Sequence, residues 1–101
     1  MAYEIGKKIV SGRKAVAAHG TAEQLVATAT HCFKIDLSAD LGNTNPVVLG
    51  GSQVVAAAGS QKGIVLIPGN APLTIIVDDV SKIYVDSQID GDAVCFTYYV
   101  P

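Results

Sequence analysis

Apolar and polar residues alternate along much of this chain, and this period of two constrains the fold more than any other feature of the sequence. Four segments show it most clearly: HCFKIDLSA at 31–39, PLTIIVD at 72–78, KIYVDS at 82–87 and AVCFTYYV at 93–100. Such alternation is typical of β-strands, whereas an amphipathic helix repeats its apolar positions about every 3.6 residues. The pattern predicts antiparallel strands that each turn one face toward a core.

Turn-forming residues separate these runs: DLGNTNP at 40–46, GGS at 50–52, PGN at 68–70 and DGD at 90–92. Nearer the start, IGKKIVSGRKAVAA at 5–18 is consistent with one bent strand or with two short strands interrupted at Ser11-Gly12. We therefore predict an all-β fold, an antiparallel β-sandwich or a small jelly-roll-like barrel of about seven to eight short strands.

The 101 residues are enough for one hydrophobic core but not for two. We predict a single β-sandwich domain over 1–101, with a short N-terminal arm at 1–6. The start of the chain lacks the features of a secretory signal peptide, and no apolar run approaches the roughly 18 residues of a membrane span. The expectation is a protein made in the cytoplasm of its host and not associated with a membrane.

Half of the residues are apolar but only 16% are charged, against about 25% in an average globular protein. A small domain with few charges is expected to leave apolar surface exposed, and large exposed apolar patches mark contact sites. This composition favours permanent association with copies of itself or with a larger structure. The alternative is that many of the apolar residues are alanines, which sit on surfaces without consequence.

The basic residues are concentrated near the start of the chain, while the net charge is −2. Four of them form the first candidate interface set: Lys7, Lys8, Arg13 and Lys14. Such a cluster could steer docking onto an acidic neighbour, and the alternative is a solvated strand whose lysines face water. The net charge gives no indication of nucleic-acid binding.

The aspartates near the C-terminus raise the question of a metal site or an acid/base pair. Asp90-Gly91-Asp92 is predicted to form a hairpin turn between the last two strands, and Asp78-Asp79 is predicted to cap a turn. Asp86 alternates with apolar neighbours and is predicted to face solvent. No calcium-loop pattern is present, so we predict no metal and no cofactor.

The cysteines and histidines also give no catalytic signature. Cys32 and Cys95 are expected to be free thiols in a reducing cytosol, with a single bridge between neighbouring strands as the alternative. His31 and Cys32 are adjacent in a strand, so they point to opposite faces and cannot pair. The chain has no zinc-site spacing and no phosphate-binding loop. The sequence therefore predicts no catalytic residue and no enzyme.

Three tyrosines form the second candidate interface set: Tyr84, Tyr98 and Tyr99. If Tyr84 lies on a strand next to the last one, a single face could carry it together with Tyr98 or Tyr99. Tyrosine is favoured at interfaces because its ring is apolar and its hydroxyl tolerates water. The alternative is an ordinary cross-strand aromatic pair that stabilises the sheet.

The order of these segments resembles that of small virion structural proteins of tailed bacteriophages, over roughly residues 19–100. In those proteins a phrase N-x-x-x-V-x-x-G-G-S-x-V precedes G-x-x-L-x-P-G and then D-L-S-K-I-Y-V. The matching residues here are Asn43, Val47, Gly50, Gly51, Ser52, Val54, Gly63, Leu66, Pro68, Gly69, Asp79, Ser81, Lys82, Ile83, Tyr84 and Val85, with Val80 in place of the leucine.

The resemblance implies a capsid decoration or cement protein on the outer surface of the virion. Its partners would be the major capsid protein and copies of itself, and it would stabilise the assembled shell. The resemblance implies no catalytic residue. Two alternatives are a phage tail or fibre component and a virion-displayed carbohydrate-binding module, for which the three tyrosines are the candidate sugar platform.

Overall fold

Eight strands form two four-stranded sheets in the computed structural model, which describes residues 7–101. The strands are β1 (Lys8–Ala15), β2 (Glu23–Gln24), β3 (Lys34–Ala39), β4 (Val47–Gly50), β5 (Ile64–Leu66), β6 (Leu73–Ile75), β7 (Tyr84–Ser87) and β8 (Ala93–Val100), with a 3₁₀ helix at Val80–Lys82. Sheet A has the order β1-β8-β3-β6 and sheet B the order β2-β7-β4-β5. Every pairing is antiparallel, so the prediction of an all-β sandwich is confirmed. The predicted arm at 1–6 lies outside the described residues.

The core lies between the two sheets and is built from alternate residues of their strands. Ile35 and Leu37 of β3 and Val94 of β8 enter it from sheet A, and Leu49 and Val85 enter it from sheet B. Burial of one such aliphatic side chain contributes roughly 1.5–3 kcal/mol. The strands therefore have the faces that the alternation predicts.

The first strand is a single eight-residue strand, with Gly12 in its middle. Gly12 lies opposite Phe96 of β8, and a Cβ atom on Gly12 would come within 2.6 Å of the phenyl ring. The glycine leaves space for the ring, so the alternative of two strands interrupted at Ser11-Gly12 is wrong.

A loop at 51–63 covers the outer face of sheet B. Val54 and Ala56 of this loop pack on Val48 and Tyr84 in a second small apolar cluster. Asp86 of β7 lies beneath the loop with only 1% of its surface exposed. Its carboxylate accepts hydrogen bonds from the backbone N–H groups of Gly20, Ala56 and Ser87, at 2.8, 2.9 and 2.9 Å. The prediction that Asp86 faces solvent is wrong, because both faces of sheet B are covered.

The turn at Asp90-Gly91-Asp92 does not form the predicted hairpin. β7 belongs to sheet B and β8 to sheet A, so the turn carries the chain from one sheet to the other. Asp92 is buried there and accepts hydrogen bonds from the backbone N–H groups of Thr44 and Asn45, both at 3.0 Å. These two hydrogen bonds therefore hold the 40–46 loop against the start of β8.

The predicted turn cap at Asp78-Asp79 is confirmed for Asp79. Its side chain accepts from the backbone N–H of Ser81 and caps the 3₁₀ helix. It also accepts from the backbone N–H of Thr30. No helix within residues 7–101 is long and apolar enough to cross a membrane.

Candidate functional site

The outer face of sheet A is the broad sheet surface that remains open to solvent. Strand register arranges its outward residues in three rows that run across the strands. The rows are Ile9, Tyr99 and Lys34; Ser11, Thr97, Asp36 and Thr74; and Arg13, Cys95 and Ser38. Continuing the same register past the two ends of β6 adds Ile76 to the first row and Pro72 to the third. We call these residues the open face. Standard sheet spacings give it sides of about 14 Å.

The first row combines an aromatic ring, a cation and two exposed isoleucines. Lys34 Nζ lies 4.7 Å from the centroid of the Tyr99 ring, a cation–π geometry. Ile9 and Ile76 lie at the two ends of the row and are 66% and 78% exposed. Exposed isoleucines beside an aromatic ring are a composition typical of protein-binding surfaces.

The second row is a hydrogen-bonded polar strip. The hydroxyls of Ser11 and Thr97 are 2.9 Å apart. Asp36 accepts a hydrogen bond from the hydroxyl of Thr74 and another, at 2.7 Å, from the hydroxyl of Tyr99. These two bonds lower the pKa of Asp36, while the Asp36 carboxylate raises the pKa of the Tyr99 phenol. The strip is preorganised, because its side chains already hold one another in place.

A shallow depression of about 350 Å³ lies on the second and third rows. Its lining includes the hydroxyls of Ser11 and Thr97, the Asp36 carboxylate and the free thiol of Cys95. These groups can bind a partner through hydrogen bonds and van der Waals contact. The other cysteine, Cys32, is also free, so the alternative of a bridge between the two is wrong.

The four basic residues of the first candidate set do not form one cluster. Arg13 lies on the open face and its Nε donates to Asp40 at 2.7 Å. Lys14 points to the other side of β1 and pairs with Glu23 at 2.9 Å. Lys7 and Lys8 lie at the start of β1 and form no ion pair within residues 7–101. Of these four residues, only the two at the start of β1 present cations without a described counter-charge.

The three tyrosines are separated, so the prediction of a shared tyrosine face is wrong. Tyr84 lies in sheet B and packs against Val48 beneath the 51–63 loop. Tyr98 points inward and its ring stacks on Phe96, with centroids 6.3 Å apart. Tyr99 alone lies on the open face, because β7 and β8 belong to different sheets and neighbouring residues of a strand point to opposite faces.

Sequence reasoning missed most of the open face. The alternation in FKIDLSAD did place Lys34 and Asp36 on the solvent-facing side of a strand. Their contacts with Tyr99 depend on β3 lying next to β8, which no local pattern shows. The alternation in PLTIIVD likewise placed Ile76 on the face of Thr74, but nothing in the sequence distinguished Ile9 as an exposed contact residue.

The acidic residues of the described part form hydrogen bonds or ion pairs with other residues of the chain. Of the nine Asp and Glu residues, all except Glu4 lie in the described part, and each of those accepts a hydrogen bond or ion pair from another residue of the chain. The residues are Glu23, Asp36, Asp40, Asp78, Asp79, Asp86, Asp90 and Asp92. Within residues 7–101, no three His, Cys, Asp or Glu side chains converge in a way that could hold a metal ion.

The coupling of Asp36 and Tyr99 gives the first testable prediction. Replacing Asp36 with asparagine removes the charge that favours the neutral phenol, so the pKa of Tyr99 should fall toward the ordinary value of about 10. The stability that this bond contributes is present below that ordinary pKa and is lost as the pH rises through the raised one. Ultraviolet titration should show a late-ionising phenol in the unmodified protein that ionises at lower pH in Asp36→Asn. Tyr99→Phe is the control that identifies the late phenol, and a late phenol that persists in Tyr99→Phe would contradict the assignment.

Comparison with known proteins gives little similarity. No family model matches the chain, and no curated protein matches it. One solved structure is similar in outline and comes from a study of Bacillus endospore appendages described as a family of disulfide-linked pili. It is 16% identical, with a TM-score of 0.42, over 100% of this chain and 98% of that one. At these values the likeness does not indicate what this chain binds.

Proposed function

We propose that this chain is a structural protein that binds the surface of a larger protein assembly through the open face of sheet A. The observation that carries the proposal is the first row of that face, where two exposed isoleucines flank the Lys34–Tyr99 pair. Ile9 and Ile76 contribute little to the stability of the sandwich itself, since their side chains stay largely in water. A partner surface that covers them would release that water.

The proposed assembly is a bacteriophage capsid. The resemblance to small virion structural proteins supports this choice, and so does the low charge of the chain. In this role the chain is a decoration or cement protein on the outer surface of the virion, made in the host cytoplasm. It binds the major capsid protein and stabilises the assembled shell, without catalysis, cofactor, nucleic acid or membrane.

The size of the open face affects how tightly one copy can bind. Sides of about 14 Å give roughly 200 Å² of projected area, whereas a standard stable interface buries about 800 Å² on each partner. One copy is therefore expected to bind a shell weakly through this face alone. Firm attachment requires several copies that bind together.

The test is sedimentation of the purified protein with assembled heads, and separately with tail tubes, of the particle that carries it. We expect it to pellet with heads. Ile9→Glu should weaken binding about tenfold or more, because it replaces an apolar contact of the first row with a charge that the partner would have to desolvate. Leu41→Glu is the matched control, because Leu41 is 79% exposed but belongs to the 40–46 loop and to none of the three rows.

Other outcomes of this experiment would change or remove the proposal. Binding to tail tubes alone would replace the head role with that of a tail or fibre component. Binding to neither, or an equal loss in both variants, would overturn the proposal. A carbohydrate-binding role lacks its platform, because Tyr84, Tyr98 and Tyr99 do not share a face.

A further inference from the structure

One continuous segment at the edge of both sheets contains no charged residue. Residues 63–77, GIVLIPGNAPLTIIV, contain no Asp, Glu, Lys, Arg or His. This segment supplies β5, the edge strand of sheet B, and β6, the edge strand of sheet A. Because β5 and β6 follow each other in the chain, the two edges lie on the same side of the sandwich. We call residues 63–77 the neutral flank.

The neutral flank exposes apolar side chains along a strand edge. Ile64, Val65 and Ile67 are 46%, 39% and 49% exposed. β5 pairs with β4 on one side, and no described strand pairs with its other side. Natural proteins usually protect such an edge with charged side chains, since an unpaired strand is a template for another chain. At the other end of sheet A, the edge strand β1 does carry such charged side chains, those of Lys8 and Arg13.

We infer that the neutral flank is a self-association surface, on which the β5 strands of two copies pair antiparallel about a two-fold axis at Val65. A two-fold contact places each surface against its own copy, so any charge near the axis meets a like charge. The neutral flank meets this condition because it has none. The β1 edge does not, since Lys8 and Arg13 would face cations. A charged partner of another kind would find no counter-charge on the neutral flank, so a second copy is the partner that fits it best.

This pairing determines how the two open faces are oriented. In an antiparallel ladder the two-fold axis is perpendicular to the sheet. The outer face of sheet B therefore points in the same direction in both copies. The two B sheets would form one continuous sheet, and both A sheets would lie on the same side of it. Two open faces would then point in one direction, which doubles the surface available to a flat partner. This consequence rests on the proposed function, whereas the association itself does not.

The test is the molar mass of the full chain in solution, measured by light scattering and sedimentation over a range of concentrations. We expect a dimer. Val65→Lys should raise the dissociation constant about tenfold or more, because two lysines would meet at the axis. Leu41→Lys is the control for the same chemical change on an exposed apolar residue outside the flank, and it should leave the dissociation constant unchanged.

A charge-swap experiment tests the two-fold geometry itself. Val65→Lys and Val65→Glu should each associate at least about tenfold more weakly than the wild type when alone, and should form a mixed dimer when combined, since opposite charges then meet at the axis. Circular dichroism verifies that each variant is folded. If Val65→Lys does not fold, Ile64→Lys takes its place, with Ile64→Glu as its partner, because an axis at Val65 makes the two Ile64 side chains diagonal neighbours about 7–8 Å apart.

The outcomes separate this inference from the proposed function. A monomeric wild type, a mixture that stays monomeric, or equal shifts in Val65→Lys and Leu41→Lys would overturn the self-association surface. A dimer that does not bind heads would leave the surface intact and remove the capsid role. A monomer that binds heads would support the capsid role and overturn the self-association surface.

Discussion

Asp86→Ala should destabilise the fold by about 2–6 kcal/mol. The substitution leaves the backbone N–H groups of Ala56 and Ser87 without their acceptor, and both residues are buried. A buried donor without a partner costs about 1–3 kcal/mol. The third donor, Gly20, lies in an exposed loop and can bond to water instead. Since small domains are stable by about 5–15 kcal/mol, the upper end of this range would leave much of the protein unfolded.

Urea unfolding followed by circular dichroism measures this loss. Asp90→Ala is the matched control, because Asp90 also accepts a backbone N–H, that of His19, but its carboxylate is mostly in water. We expect a clearly smaller change for Asp90→Ala. Equal losses in the two variants would mean that the buried position of Asp86 contributes nothing, which would contradict this account of sheet B.

Gly63→Ala should also destabilise the fold, with a loss of at least about 2 kcal/mol. Gly63 precedes β5 with a φ of +124°, a conformation that residues with a Cβ atom rarely adopt. The added Cβ would also lie 2.5 Å from the carbonyl oxygen of Leu49 and 2.8 Å from Val48 Cγ1. Backbone strain costs about 1–3 kcal/mol, and overpacking costs a similar amount.

The matched control for Gly63 is Gly51→Ala, at the other end of the same loop. A Cβ on Gly51 would meet no atom within 4 Å, and Gly51 does not have a positive φ. This change should be neutral, or stabilising by less than about 1 kcal/mol, because alanine restricts the unfolded chain. Thermal unfolding of the two variants compares them directly. A Gly63→Ala midpoint as high as that of Gly51→Ala would show that the loop adjusts without cost.

The period of two was enough to predict the fold class and the inward face of most strands. Ile35 and Leu37 of β3 and Val94 and Phe96 of β8 point into the core as their alternation requires. The same rule failed at Asp86, because alternation distinguishes two faces of a strand but does not show whether a distant loop covers the second one. The 51–63 loop does so here, and nothing local to KIYVDS indicates it.

The open face was harder to predict than the core because it depends on which strands are neighbours. An Asp-Gly pair predicts a tight turn, but it does not specify which sheet the next strand joins. At Asp90-Gly91 the chain changes sheets, which separates Tyr84 from Tyr99 and leaves Tyr99 beside Lys34 and Asp36. Pairs so far apart in the chain follow from the whole topology and not from any short motif.

The central position of β8 in sheet A has a consequence for biosynthesis. β1 and β3 both hydrogen-bond to β8 and not to each other. A ribosome adds about 5–20 residues per second, so β1 must wait several seconds for residues 93–100 to be made. Pairings of such long range also fold slowly. During that interval a nascent chain can form the β4–β5 hairpin of sheet B, whereas sheet A can close only after its last strand has left the ribosome.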